Sequence, residues 1–481
     1  MNRTILRSLY RKLGLKLLRS KVSKIRSPKS HRVTREDSDN YLAGLVATSK
    51  YFSEQQALTS ETLKPLHRAF AARKVRSHLL GHDWWADFVF AATNLDEDSQ
   101  DIQDKLVARI KALPLNTLQY WELLHVYALA LRVGLFMVGY ALRCKAREVA
   151  IDSLRRRKKL SAAQLFEAIA AKMETGQYAE AKKNIAQLGR KYANQKQLLS
   201  WLYGLMAPES DAELILDPGL GNSEQDLAFR NLVQGKSIAV VGPAKTDRQD
   251  ATQIDAHDLV VRCNYKEKGV GVDLIVKGLR CSITYFNAQQ ATYFCRQNNV
   301  NWPHEIEWVV AKQERSATKV AEKVNSLLCH EAVSSGNVKK LQSRGTKVME
   351  LRVLLFGSDP NAIPNMLLDI LRFSPAVVRV FHADLMLTNE RFLGYHPNTW
   401  EDEYHIKEKQ IFLQYSSANH DPVLQYWILS ELFHQGKIVG DTHFSEVMSL
   451  GVKEYMRQLQ MIYGSVGRLL GKSEKRAIPQ N

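Results

Sequence analysis

From residue 236 onward, short apolar runs alternate with stretches of helical character, and no other feature narrows the fold as much. Residues 236–242 (KSIAVVG) and 258–263 (DLVVRC) are short, apolar and rich in valine, so they read as strands. Further strands are expected at 272–276, 282–286, 308–311, 347–356 and 376–382 (AVVRVFH). Helices are expected at 365–372 and 422–435. Strand and helix in alternation predict an α/β domain over 225–465, with a mainly parallel sheet flanked by helices. Such sheets bind ligands where loops leave the carboxyl ends of the strands.

Residues 41–210 have another texture. Gly and Pro are sparse, while Ala, Leu, Lys, Arg, Glu and Gln dominate, so an all-α domain of helical hairpins is expected to precede the sheet. Residues 161–192 read as one hairpin, with Gly176 and Gln177 at the turn and Ala179 and Ala181 allowing close helix packing. Tetratricopeptide repeats of about 34 residues have this look. Residues 121–151 are a looser second unit. The region is either a surface for protein partners or a generic helical layer. The apolar stretch 123–142 carries His125 and Arg132, and a charge there is costly in lipid, so it reads as one buried helix. Pro208, Pro218, Gly219 and Gly221 mark a linker before the α/β domain.

The 481 residues carry a net charge of +17, concentrated at the start. No acidic residue precedes Glu36, while Arg3, Arg7, Arg11, Lys12, Lys16 and Arg19 are interleaved with Leu6, Leu9, Leu13 and Leu17. Residues 1–40 are thus a basic amphipathic arm suited to an anionic membrane surface, or a solvated tail. A nucleic-acid arm is not expected, because the apolar stripe would have no use there. Residues 466–481 form a short tail. No secretory apolar core is evident, and Cys144, Cys263, Cys281, Cys295 and Cys329 lack metal-ligand spacing. These features suggest reduced thiols in a cytoplasmic protein, peripheral at the inner membrane face.

A strand running into Gly242-Pro243-Ala244 is expected to bring backbone N–H groups close to a ligand, with no Cβ in the way at Gly242. The following residues 254–264 read IDAHDLVVRCN. This order, with Asp273, Gly278 and the strand ending Thr284-Tyr285-Phe286-Asn287, resembles the large sialylmotif of the animal-type sialyltransferase family. The resemblance covers about 235–445 and implies a Rossmann-like, sialyltransferase-like fold in a divergent bacterial member. It also implies a cytidine monophosphate (CMP) sugar donor lined by Gly242, Pro243, Ala244, Asn264 and Asn287. Amide side chains suit that task, since each both donates and accepts without charge. Asp255, Asp258 and Arg262 are expected to frame the loop, with Arg262 paired between the carboxylates.

Two further segments follow in the family's order. Residues 360–382 resemble the small sialylmotif, with a helix N-terminus near Asn361 able to face a phosphate or carboxylate. Residues 420–425 resemble the family's His-x4-Glu motif, although Gln425 stands where the family has Glu. The resemblance makes His420 the general base that takes the acceptor's proton. Tyr404 and His405 would stabilise the leaving phosphate, a donor there being worth on the order of 3 kcal/mol. His396, preceded by Tyr395 and separated from Glu401 by four residues, is the rival base. No metal or other cofactor is implied, because the leaving group has a single phosphate to neutralise. The family's membrane anchor and the disulfide between its motifs are not found.

The expected function is inverting transfer of sialic acid, or a related 3-deoxy-ulosonic acid, from a CMP-sugar to a glycan or glycolipid acceptor. A transferase using another nucleotide sugar remains open. So does a non-catalytic helical-repeat scaffold with a degenerate α/β domain.

Overall fold

The computed structural model describes residues 99–132, 134–156, 160–189, 193–207, 223–244, 246–265, 274–297, 302–303, 305–312, 314–332, 341–346, 361–387 and 420–464, with isolated positions between 84 and 91. The basic arm, most of the linker, the expected strand 347–356 and the tail lie outside the described residues. So do Asp273, Pro360, Tyr395, His396, Tyr404 and His405.

Among the described residues, seven strands form one sheet. They are β1 (Ser237–Val241), β2 (Leu259–Cys263), β3 (Ile283–Phe286), β4 (Trp308–Ala311), β5 (Gln342–Gly345), β6 (Val377–Phe381) and β7 (Val439–Gly440). Their order is β5-β4-β3-β2-β1-β6-β7, and every neighbouring pair is parallel. Strands β3 and β4 are buried throughout, as a sheet covered on both faces requires. The chain builds outward from β1 to β5, then returns to lay β6 and β7 on the other side of β1. That reversal makes a switch point between the carboxyl ends of β1 and β6.

Ahead of the sheet lie α1 (Ser99–Ala112), α2 (Tyr120–Arg132), α3 (Phe136–Arg156), α4 (Ala162–Glu174), α5 (Tyr178–Ala186) and α6 (Ala193–Met206). Alternating with the strands are α7 (Glu224–Val233), α8 (Ala251–Asp255), α9 (Leu274–Lys277), α10 (Ala288–Phe294), α11 (Glu314–Ala332) and α12 (Ala362–Ile370). The last three among the described residues are α13 (Pro422–His434), α14 (Thr442–Ser449) and α15 (Val452–Tyr463). No helix among the described residues is long and apolar enough to cross a membrane.

Four local expectations are corrected. The stretch expected as one helix over 123–142 is broken at Gly134, whose φ of 80° turns the chain from α2 into α3. The described part of the expected strand 272–276 belongs to the short helix α9, which buries Val276 but leaves Ile275 66% exposed. A strand inside the sheet would have buried both faces. Helix α12 begins at Ala362 rather than 365, because Pro364 falls in its first turn, where a missing N–H leaves nothing unsatisfied. In the α4–α5 hairpin, whose first helix starts in a capping box of Ser161 and Gln164, Ala181 is buried as close packing requires, but Ala179 is exposed and takes no part in it.

Helices and sheet share one core. A single cluster of buried side chains runs from Leu106 and Phe136 through Ile238 and Val261 to Tyr455 and Tyr463. The Met137 N–H donates to Gln460 Oε1 at 2.9 Å, and Gln435 Nε2 donates to the Met206 carbonyl at 3.0 Å, joining α3 to α15 and α6 to the end of α13. Along β4, Trp308 and Val310 enter this cluster while Val309 and Ala311 enter a second one with Phe294 of α10 and Val320 of α11. That is the period-two alternation of a strand covered on both faces.

A buried ion group locks α7 and α12 against β3 and β5. Arg344 of β5 is 3% exposed and reaches Asp369 at 2.5 Å and Asp226 at 3.1 Å. Its guanidinium lies 4.6 Å from the Phe229 ring centre and 4.8 Å from that of Phe373. The Tyr285 hydroxyl donates to Asp369 at 2.7 Å. Helix α12 is thereby held in place, and with it the N-cap residue Asn361.

Candidate functional site

Because all strands are parallel, their carboxyl ends share one edge. Gly242 follows β1, Asn264 follows β2, Asn287 follows β3, Lys312 follows β4 and His382 follows β6. Three of the donor residues implied by the sequence resemblance therefore stand on one edge of the sheet.

Their local chemistry differs from expectation. The Gly242 N–H donates to the Phe381 carbonyl at 2.8 Å, the Ala244 N–H donates to the His382 carbonyl at 3.1 Å, and Pro243 has no N–H. The turn thus does not present the backbone donors expected of it. Its close approach is to protein: a Cβ on Gly242 would stand 2.3 Å from the His382 carbonyl oxygen. Lys277 Nζ donates to the Gly242 carbonyl at 2.8 Å and places a positive charge beside the turn.

Asn264 is buried and has a φ of 53°, a backbone that asparagine tolerates better than most residues. Its N–H donates to the Tyr285 carbonyl at 2.8 Å, which extends the β2–β3 pairing past the strand. Asn287 is exposed and caps α10, its Oδ1 accepting from the Gln290 N–H at 2.7 Å. The side-chain oxygen offered to a donor sugar by expectation is therefore engaged in the cap.

Asp255, Asp258 and Arg262 do frame the loop, but through the backbone rather than by pairing with one another. Asp255 accepts from the Leu279 and Arg280 N–H groups at 3.0 and 3.2 Å. Asp258 accepts from the N–H and hydroxyl of Ser237 at 2.8 and 2.9 Å, and these bonds hold its carboxyl below the usual range. Arg262 donates to the carbonyls of Lys277, Gly278 and Arg280.

The start of α12 meets the start of α13. Gln425 Oε1 accepts from the Asn361 N–H at 2.9 Å, and Gln425 Nε2 donates to the His420 carbonyl. One amide thus ties Asn361 to His420. The bridge needs one acceptor and one donor, and only an amide supplies both; a carboxylate would lack the donor. Asn361 also caps α12, its Oδ1 accepting from the Ala362 N–H at 2.8 Å. His420 is half-buried, and burial together with the Lys312 charge holds its pKa down at about 3. Its imidazole is therefore neutral at physiological pH and able to accept a proton.

A second cluster, which no local sequence pattern announces, stands at the β1–β6 switch point. The His382 N–H donates to Asp441 Oδ2 at 2.8 Å, and its Nε2 lies 2.9 Å from Asp250 Oδ2. Asp250, His382 and Asp441 bring potential metal-ligand atoms within 4.8 Å of one another. Yet both Asp441 oxygens already accept, from the N–H groups of His382 and of Phe444, the latter at 2.7 Å. Burial lowers the His382 pKa against the pull of Asp250, and the Lys277 charge lowers it further. A cation entering here would meet that ammonium and displace formed hydrogen bonds. The group reads as a clasp between β6, β7 and the segment before α8.

No protein-family model matches the chain, and a comparison with curated proteins returns no match.

Proposed function

We propose that this protein is a glycosyltransferase that moves sialic acid, or a related acidic sugar, from a CMP-sugar to a hydroxyl of a glycan or glycolipid. The observation that carries the reading is the Gln425 bridge, which joins His420 to Asn361. These are the two segments that the resemblance assigns to base and donor binding. The carboxyl edge with Gly242, Asn264 and Asn287 is where an α/β sheet takes a nucleotide.

In the proposed reaction, neutral His420 accepts the proton of the acceptor hydroxyl as that oxygen attacks the anomeric carbon. The bond from that carbon to the phosphate oxygen breaks on the opposite face. CMP leaves with the electron pair, and the configuration inverts. A pKa of about 3 makes His420 a weak base in the resting protein. The donor supplies the correction. Its phosphate and carboxylate carry negative charge, and placed near His420 they favour the imidazolium. Lys312, whose charge acts on His420, would attract the same anions. Tyr404 and His405 remain the proposed partners of the leaving phosphate, with His396 the rival base. The arm of 1–40 would hold the protein peripherally on anionic lipid, near a glycolipid acceptor.

One observation favours the second reading, a scaffold without catalysis: the N–H groups of Gly242 and Ala244 and the Asn287 oxygen all have partners within the protein. Thermal shift with cytidine, uridine, guanosine and adenosine monophosphates separates the two. The transferase reading expects stabilisation by the cytidine nucleotide above the others. An equal or absent response to all four supports the scaffold.

A further inference from the structure

We propose that Arg143 of α3 is a positioning residue for His420, acting through Asp421, with Tyr127 of α2 and Glu174 of α4 completing the device. The inference rests on the reading of His420 as the base. Asp421, directly after His420, has φ 43° and ψ 77°, in the left-handed region. Aspartate visits that region more readily than most residues, but these angles lie outside its usual range of about φ 50–70° and ψ 30–60°, so its surroundings must hold it there.

The surroundings here do so. Asp421 Oδ1 accepts from the Tyr127 hydroxyl at 2.7 Å and from the Leu424 N–H at 3.2 Å. Asp421 Oδ2 accepts from Arg143 Nη1 at 2.9 Å. Arg143 is 1% exposed; its Nε donates to Glu174 Oε2 at 3.2 Å, and its Nη2 donates to Glu174 Oε1. Arg147 Nη1 lies 3.5 Å from the same Glu174 carboxylate. The anchors thus come from three helices of the layer ahead of the sheet, while Asp421 lies 278 residues further along the chain than Arg143.

Stability alone does not explain this group. Apolar side chains of the same volume would fill the space as well, because desolvating the charges offsets their attraction. What the group provides beyond packing is direction. A carboxylate gripped on both oxygens fixes one Asp421 conformation, and the chain leaving it backward carries His420. The peptide that joins His420 to Asp421 is also held by Gln425, which donates to the His420 carbonyl. The helical layer is by this account part of the site.

The test uses the full-length protein. Arg143→Ala strands two buried carboxylates and is expected to unfold the chain. Tyr127→Phe instead removes one hydrogen bond and keeps the ring, and Arg143→Lys keeps the charge but loses the fork that spans Glu174 and Asp421. The first readout is the imidazole NMR spectrum of histidine-labelled protein, with the His420 signals assigned by their loss in His420→Gln. In both variants the His420 signals are expected to move while those of His382 stay. The kcat on CMP-sialic acid is expected to fall about tenfold at unchanged KM for the donor. His420 signals that superimpose on those of the wild type overturn the proposal, whatever the activity. Moved signals with an unchanged kcat also overturn it. Moved signals in a protein that never turns over CMP-sialic acid keep the positioning and remove the transferase reading instead.

Discussion

Gln425 holds the Asn361 N–H at 2.9 Å with its side-chain oxygen while its amide nitrogen donates to the His420 carbonyl. The family that the sequence resembles carries Glu at this place. In this protein Gln425→Glu would set a carboxylate against the His420 carbonyl with no proton between them. The variant is expected to lose about 1–3 kcal/mol in urea denaturation and to lower any turnover. Stability equal to the wild type would mean that the bridge does not form in solution.

Gly242 is required by a protein neighbour rather than by a ligand. A methyl group there meets the His382 carbonyl oxygen at 2.3 Å, and backbone cannot swing aside. Gly242→Ala is expected to destabilise by about 1–3 kcal/mol. Gly204, inside α6, has nothing within 4 Å of an added Cβ. Gly204→Ala is expected to stabilise by about 0.5–1 kcal/mol, since alanine has the better helix propensity. Chemical denaturation of the pair checks both signs.

Asp369 is fully buried and satisfies Arg344 and Tyr285 together. Asp369→Ala leaves the Arg344 charge without its nearest carboxylate, and the expected loss is about 3–5 kcal/mol. Glu454, on the surface of α15, pairs with Arg457, which is 52% exposed. Its replacement by Ala is expected to leave the unfolding midpoint nearly unchanged.

The pH dependence follows from the histidines. His420 has a folded pKa of about 3 against an ordinary 6.5, and burial lowers that of His382 as well. As pH falls below 6.5 the unfolded chain takes up protons that the folded protein refuses, so stability falls between pH 6.5 and 3. Above 6.5 neither state binds these protons and the effect is absent. His420→Gln is expected to flatten part of this acid limb in urea titrations near neutral pH and at about pH 5. An unaltered limb would place the imidazole in water.

The central strands were legible because a parallel sheet covered on both faces demands continuous apolar runs, and 236–242, 258–263 and 308–311 supply them. Strand β5 was not, because Gln342-Ser343-Arg344-Gly345 has no such run; its buried group is an arginine paired beneath the sheet. Gly242 was legible as a close approach, but a single sequence does not say to what, and the neighbour is His382. The Asp250–His382 contact spans 132 residues and the Arg143–Asp421 contact 278, so neither left a local pattern to read. The Gln425 bridge was half legible. The His-x4 spacing marked the position, while the partner Asn361 lies 64 residues away on another helix.

The most direct test is single-turnover transfer from CMP-sialic acid by the wild type, His420→Gln and His396→Gln, with CMP affinity measured in parallel. The expected result is transfer by the wild type and His396→Gln, with loss of at least about a hundredfold in His420→Gln at unchanged CMP affinity. Transfer retained by His420→Gln, or a wild type that neither binds CMP nor cleaves CMP-sialic acid, would contradict the proposed role of His420.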